Sequence, residues 1–124
     1  MKKKVLILVV DDEKDITEIY KILLELQGYE VAVANNGLDG LNVVANRPPD
    51  LILSDCMMPL MDGVEFARRV RLIPGLQAIP IILMSGAPEL HDFSSSPHSV
   101  FLKKPLLFES LTGAIDRLLP NNQY

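Results

Sequence analysis

Short apolar runs alternate with longer amphipathic ones along almost the whole chain. Residues 5–10 are Val, Leu and Ile without a polar interruption and predict a buried strand. From Asp15 the period changes. Ile16, Ile19, Tyr20, Leu23 and Leu26 fall on one helical face, with Asp15 and Glu18 spaced to cap its start and Gly28 placed to end it. Residues 30–34 predict a second strand. Asn35-Asn36-Gly37 reads as a turn, and Leu38, Leu41, Val44 and Ala45 mark a second helix that Pro48 closes. The pattern then repeats, with a strand at 51–53, a loop between Pro59 and Gly63, and a helix over 64–72 that turns Ala67 and Val70 inward and stops at Pro74-Gly75. Strands at 81–84 and 100–102 follow. Leu107, Phe108, Leu111, Ile115 and Leu118 build a closing helix.

Strands that alternate with helices and lack polar alternation predict an α/β fold, a doubly wound parallel sheet with both faces covered. One stretch breaks the rhythm. Between Ser85 and Phe101 a helix should complete the crossover, yet Ser94-Ser95-Ser96-Pro97 disfavours one. A short or irregular fourth helix of at most two turns, mobile until a partner or phosphoryl group orders it, is expected there.

At 124 residues the chain suits a single domain spanning 1–124. Its net charge of -4 gives no general pull toward nucleic acid or anionic lipid. The longest apolar run, residues 5–10, is far below the roughly 20 residues of a membrane span, and the run ends in Asp11-Asp12 rather than in a cleavage site. A single cysteine, Cys56, excludes an internal disulfide and a multi-cysteine zinc site. A cytoplasmic domain is the expectation.

Ligands of open parallel sheets bind beyond the carboxyl ends of the strands. After the first strand come Asp11 and Asp12; after the third, Asp55; after the fourth, Ser85; after the fifth, Lys103, Lys104 and Pro105. Three acids, a hydroxyl and an ammonium therefore share one rim. Carboxylates so gathered repel, and a divalent cation relieves them. Hard oxygen ligands at a partly open site favour Mg²⁺. A cation beside a carboxylate suits phosphoryl transfer, with the carboxylate as nucleophile, Ser85 hydrogen-bonding one phosphoryl oxygen and Lys104 pairing with another.

Four pieces carry a family resemblance: Val9-Val10-Asp11-Asp12-Glu13, the run from Asp55 to Gly63 with its Met-Pro-Leu-Met-Asp-Gly ending, Met84-Ser85-Gly86-Ala87, and Phe101-Leu102-Lys103-Lys104-Pro105. In this order and over nearly the whole chain they resemble the response-regulator receiver domain of two-component signalling. The resemblance implies a flavodoxin-like five-stranded sheet of order 2-1-3-4-5. It implies that Asp55 accepts a phosphoryl group from a histidine kinase or phosphotransfer protein. Asp12, Asp55 and the backbone carbonyl of Met57 would bind Mg²⁺ directly, and Asp11 mainly through water. Ser85 would grasp the phosphoryl group, Lys104 would pair with it, a cis peptide would precede Pro105, and Phe101 would be an aromatic switch. The implied protein is a signalling switch that assists its own phosphorylation and dephosphorylation and acts through a downstream effector.

Blander readings stand beside these. Ser85 also reads as a small turn residue, and Phe101 equally as core. Lys103 is expected in solvent, Cys56 as a packed, inert thiol, Asp62 as a helix cap, and His91 and His98 as loop residues without a metal role. Met57 and Ala87 offer no acid or amide to position water, so slow self-dephosphorylation is expected. Alternative readings are a receiver excised from a larger response regulator or hybrid kinase, an interaction module that is never phosphorylated, and a small aspartyl-phosphate phosphatase.

Overall fold

The computed structural model describes residues 4–86 and 98–119. Five strands, β1 (Leu6–Val10), β2 (Glu30–Ala34), β3 (Leu51–Asp55), β4 (Ile81–Ser85) and β5 (Ser99–Lys103), form one parallel sheet of order β2-β1-β3-β4-β5. Four helices lie among the described residues: α1 (Lys14–Leu26), α2 (Gly37–Asn46), α3 (Gly63–Arg71) and α4 (Phe108–Leu118). The doubly wound α/β fold expected from the alternating runs is the one found.

Successive strand residues point to opposite faces, and each face has its own core. Leu8, Val10, Ile52, Ile81 and Leu83 pack with Val44 of α2 and with Phe66, Ala67 and Val70 of α3. Ile7, Val9, Leu51, Leu53, Ile82 and Met84 pack with Leu24 of α1 and with Leu111, Ala114 and Ile115 of α4. A strand buried on both sides has no place for alternating polar residues, which is why these runs are continuously apolar.

The register sets the rim. Val10 pairs with Ala34 on one side and Ser54 on the other, Asp55 with Met84, and Ser85 with Lys103. The strands thus end level, and whatever follows them shares one edge of the sheet.

Helix ends follow local chemistry. Gly28, at φ 97, ends α1 in the left-handed conformation that only glycine adopts cheaply. Asn36 caps α2 by accepting from Asp39 N at 2.8 Å, and Asp62 caps α3 by accepting from Glu65 N at 2.8 Å.

Three sequence expectations need correction. Asp15 does not cap α1; the cap position is Glu13, and Asp15 lies inside the first turn. Ile19 and Leu26 are not core. Leu26 is 77% exposed, whereas Thr17 and Leu24 are buried. Isoleucines and leucines lie on several sides of α1, so apolar spacing alone sets its rotation wrongly. Leu107 precedes α4 at its cap position and is exposed rather than packed. The expectation of a short, mobile fourth helix falls on residues 87–97, outside the described residues. Among the described residues no helix is long and apolar enough to cross a membrane.

Candidate phosphoryl-acceptor and metal site

The level strand ends bring the acids together. Asp11 and Asp55 are buried, at 2% and 5% exposure, while Asp12 faces solvent. One carboxylate oxygen from each of the three lies within 4.8 Å of the others. The set is all carboxylate and partly open, which fits a hard divalent cation rather than a thiophilic one.

From β5's end comes the opposing charge. Lys104 Nζ is 2.8 Å from Asp55 Oδ1. Among the described residues no well-aligned hydrogen bond reaches this buried oxygen, so its compensation is the lysine charge itself. Desolvation pulls the Lys104 ammonium down, but its contact with Asp55 and the charges of Asp55 and Asp11 outweigh burial and raise it. The Lys104–Pro105 peptide is cis, as expected.

Asp11 carries the strain of the cluster. Burial lifts its carboxyl, the Glu13 N–H donated to Oδ1 at 3.0 Å opposes the rise, and the Asp55 charge adds to it, leaving it at about 6 against an ordinary 3.8.

The other candidates are distributed around this centre. Ser85 is the last residue of β4 and is buried. Met57 lies two residues past Asp55 with its side chain 69% exposed, whereas Met58 and Met61 of the same loop are packed in the core. In that loop Leu60 holds φ 71, a left-handed conformation costly for a branched side chain. Phe101 is half-buried on β5 against the α2 and α3 core. Lys103 is exposed. Cys56 is buried, and burial with the Asp62 and Asp55 charges pushes its thiol up to about 11, which keeps it inert. His91 and Ala87 lie outside the described residues.

Two features escape a reading by motif. A cleft of about 460 Å³ opens beside the acids, lined by Asp11, Glu13, Ile16, Tyr20, Lys104 and Leu106 among others. Tyr20, a core residue by spacing, is part of its wall. Asn35, a turn residue by composition, bonds the backbone of Asp11 across 24 residues; its place directly after β2, on the same rim, is the only signal in the sequence.

A lysine paired with one member of an acid triad is the arrangement that the four motif pieces imply, and comparison with known proteins decides the family. The sequence profile of the response regulator receiver domain matches residues 7–116. The chain belongs to that family. The receiver is 42% identical over 83 residues to the phosphate regulon transcriptional regulatory protein PhoB of Pseudomonas aeruginosa, a match covering 67% of this chain and 36% of that protein. It is 32% identical over 117 residues to sporulation initiation phosphotransferase F of Bacillus subtilis, covering 92% of this chain and 93% of that one. Among solved structures, the chemotaxis response regulator CheY4 of Vibrio cholerae superposes with a TM-score of 0.86 at 30% identity, covering 94% of this receiver and all of that chain. The receiver spans between 36% and 50% of the length of PhoB and the longer regulators matched with it.

The Lys104–Asp55 pair has a measurable consequence. Lys104→Met leaves a buried carboxylate without its counter-charge. Because Lys104 is 43% exposed and water replaces part of its effect, the expected loss is about 1–2 kcal/mol at neutral pH. Chemical denaturation in chelator should show this loss and Mg²⁺ should restore most of it; a loss unaffected by Mg²⁺ would contradict the account.

Proposed function

We propose that this receiver is a phosphorylatable switch. Asp55 accepts a phosphoryl group, in the presence of Mg²⁺, from the phosphohistidine of a histidine kinase or phosphotransfer protein, and the change alters binding of a downstream effector. The observation that carries the reading is the gathering of Asp11, Asp12 and Asp55 oxygens within 4.8 Å, beside an ammonium 2.8 Å from Asp55. Uncompensated, three such carboxylates oppose the fold; a divalent cation removes the repulsion.

Asp12, Asp55 and the main-chain carbonyl of Met57 would hold the ion, with Asp11 acting through water. When bound, Mg²⁺ neutralises charge on the phosphoryl oxygens. An Asp55 carboxylate oxygen attacks phosphorus; a P–O bond forms, and the P–N bond to the donor imidazole breaks with its electron pair leaving on the imidazole. Lys104 turns its charge from the carboxylate to a phosphoryl oxygen, and the Ser85 hydroxyl hydrogen-bonds another. Neither Met57 nor Ala87 carries an acid or amide to position an attacking water, so self-dephosphorylation is slow. Phe101 senses the change at Ser85 along the edge of the sheet.

Asp55→Asn keeps the shape and removes the nucleophile. Incubated with a phosphorylated phosphotransfer domain and Mg²⁺, the wild-type receiver should gain one phosphoryl group by intact mass and Asp55→Asn none. Equal labelling of both proteins would move the acceptor elsewhere, and no labelling of either would favour the constitutive interaction module.

A further inference from the structure

We infer that Asn35 is a positioning residue for the Asp11–Asp12 pair and thereby sets its affinity for Mg²⁺. The inference rests on reading the acid cluster as a Mg²⁺ site.

Asp11 is the first residue past β1, and its main chain is anchored on both sides by the end of β2. Its N–H donates to Ala34 O at 3.1 Å. Its carbonyl accepts from Asn35 Nδ2 at 3.0 Å. That carbonyl belongs to the peptide unit joining Asp11 to Asp12. The unit is planar, so fixing its oxygen fixes the direction in which the chain enters Asp12. The same amide donates to Thr17 Oγ1 at 3.4 Å, and this buried hydroxyl donates to Lys14 O at 2.9 Å. Asn35 therefore ties the turn after β1 to the first turn of α1. The Glu13 N–H bonded to Asp11 Oδ1 then orients the carboxylate on a backbone already held.

The chemistry asks for a residue of this kind. Two adjacent acids repel each other and Asp55, and an untethered turn would relieve that repulsion by swinging Asp12 outward. A neutral amide donor restrains the turn without adding charge. An aspartate here would repel the Asp11 carbonyl, and a serine is one bond shorter. Outer partners of metal ligands commonly change affinity by about tenfold or more when removed.

The experiment compares Mg²⁺ binding by calorimetric titration and melting temperature in chelator for the wild type, Asn35→Ala and Asn35→Leu, the last keeping most of the volume. Asn36→Ala serves as the control, because it weakens the same turn through the α2 cap without touching Asp11. Both Asn35 variants should bind Mg²⁺ about tenfold more weakly. Asn36→Ala should bind as the wild type does while melting at least as low as the Asn35 variants. Wild-type affinity in both Asn35 variants would overturn the inference and leave the metal site standing, as would equal weakening in Asn36→Ala. Absence of Mg²⁺ binding by the wild type would instead remove the metal reading itself.

Discussion

Asp11→Asn should make the metal-free receiver more stable at neutral pH while weakening its hold on Mg²⁺. The folded protein keeps the Asp11 carboxyl at about 6, chiefly through burial, against 3.8 ordinarily. Between these values the folded state binds the proton more tightly than the unfolded chain does, so stability falls as pH rises from about 4 to above 6. Two pKa units correspond to about 3 kcal/mol at most, and relaxation of the half-open site and solvent screening reduce this to roughly 1–2 kcal/mol. Asparagine has no charge to desolvate, and its side-chain oxygen can still accept the Glu13 N–H. In chelator the variant should therefore gain that much at pH 7.5 and little or nothing at pH 4. Mg²⁺ reverses the order, because an ion held more tightly by the folded wild type than by the folded variant stabilises the wild type more by mass action. Urea denaturation at both pH values, with and without Mg²⁺, reads all four quantities. A variant no more stable than wild type in chelator at pH 7.5 would show that burial does not penalise the Asp11 charge.

The second large effect is expected at Gly63. A Cβ built there would lie 2.4 Å from the backbone oxygen of Asp55 and 2.9 Å from Cys56 Cα. Both neighbours are backbone and cannot rotate aside. The first residue of α3 is pressed against the end of β3, and its N–H donates to Cys56 O at 2.8 Å. Gly63→Ala must push the helix from the strand or displace the acceptor itself. Overpacking of this kind costs about 3 kcal/mol or more, roughly a 10 °C fall in Tm for a chain of this size. Phosphoryl incorporation at Asp55 should fall with it even below the melting transition, because the displaced atom belongs to the acceptor residue. A variant with wild-type Tm and labelling would contradict the close approach.

Much of this arrangement is legible before any coordinates. Strands buried on both faces must be apolar throughout, so residues 5–10, 51–53 and 81–84 are conspicuous, and the acids directly after them must share a rim. The motif pieces add the sheet order and the lysine. Less legible is anything decided across the sheet. α1 has apolar residues around most of its circumference, and only packing against the sheet chooses Thr17 and Leu24 over Ile19 and Leu26. Asp15 has the composition of a cap, but the Asp11 side chain has already taken the Glu13 N–H, and the helix begins at Lys14. Asn35 bonds a backbone carbonyl, which has no residue type, so no pattern of side chains announces it. Tyr20 joins the wall of the cleft only because α1 runs beside the loop after β5.

Intact-mass measurement of phosphoryl incorporation from a small phosphodonor, across a Mg²⁺ titration at constant ionic strength, confronts the central claim most directly. The expected result is a single phosphoryl group whose rate of appearance rises and saturates with Mg²⁺ and vanishes in chelator. Labelling at the same rate in chelator, or no labelling at saturating Mg²⁺, would contradict it.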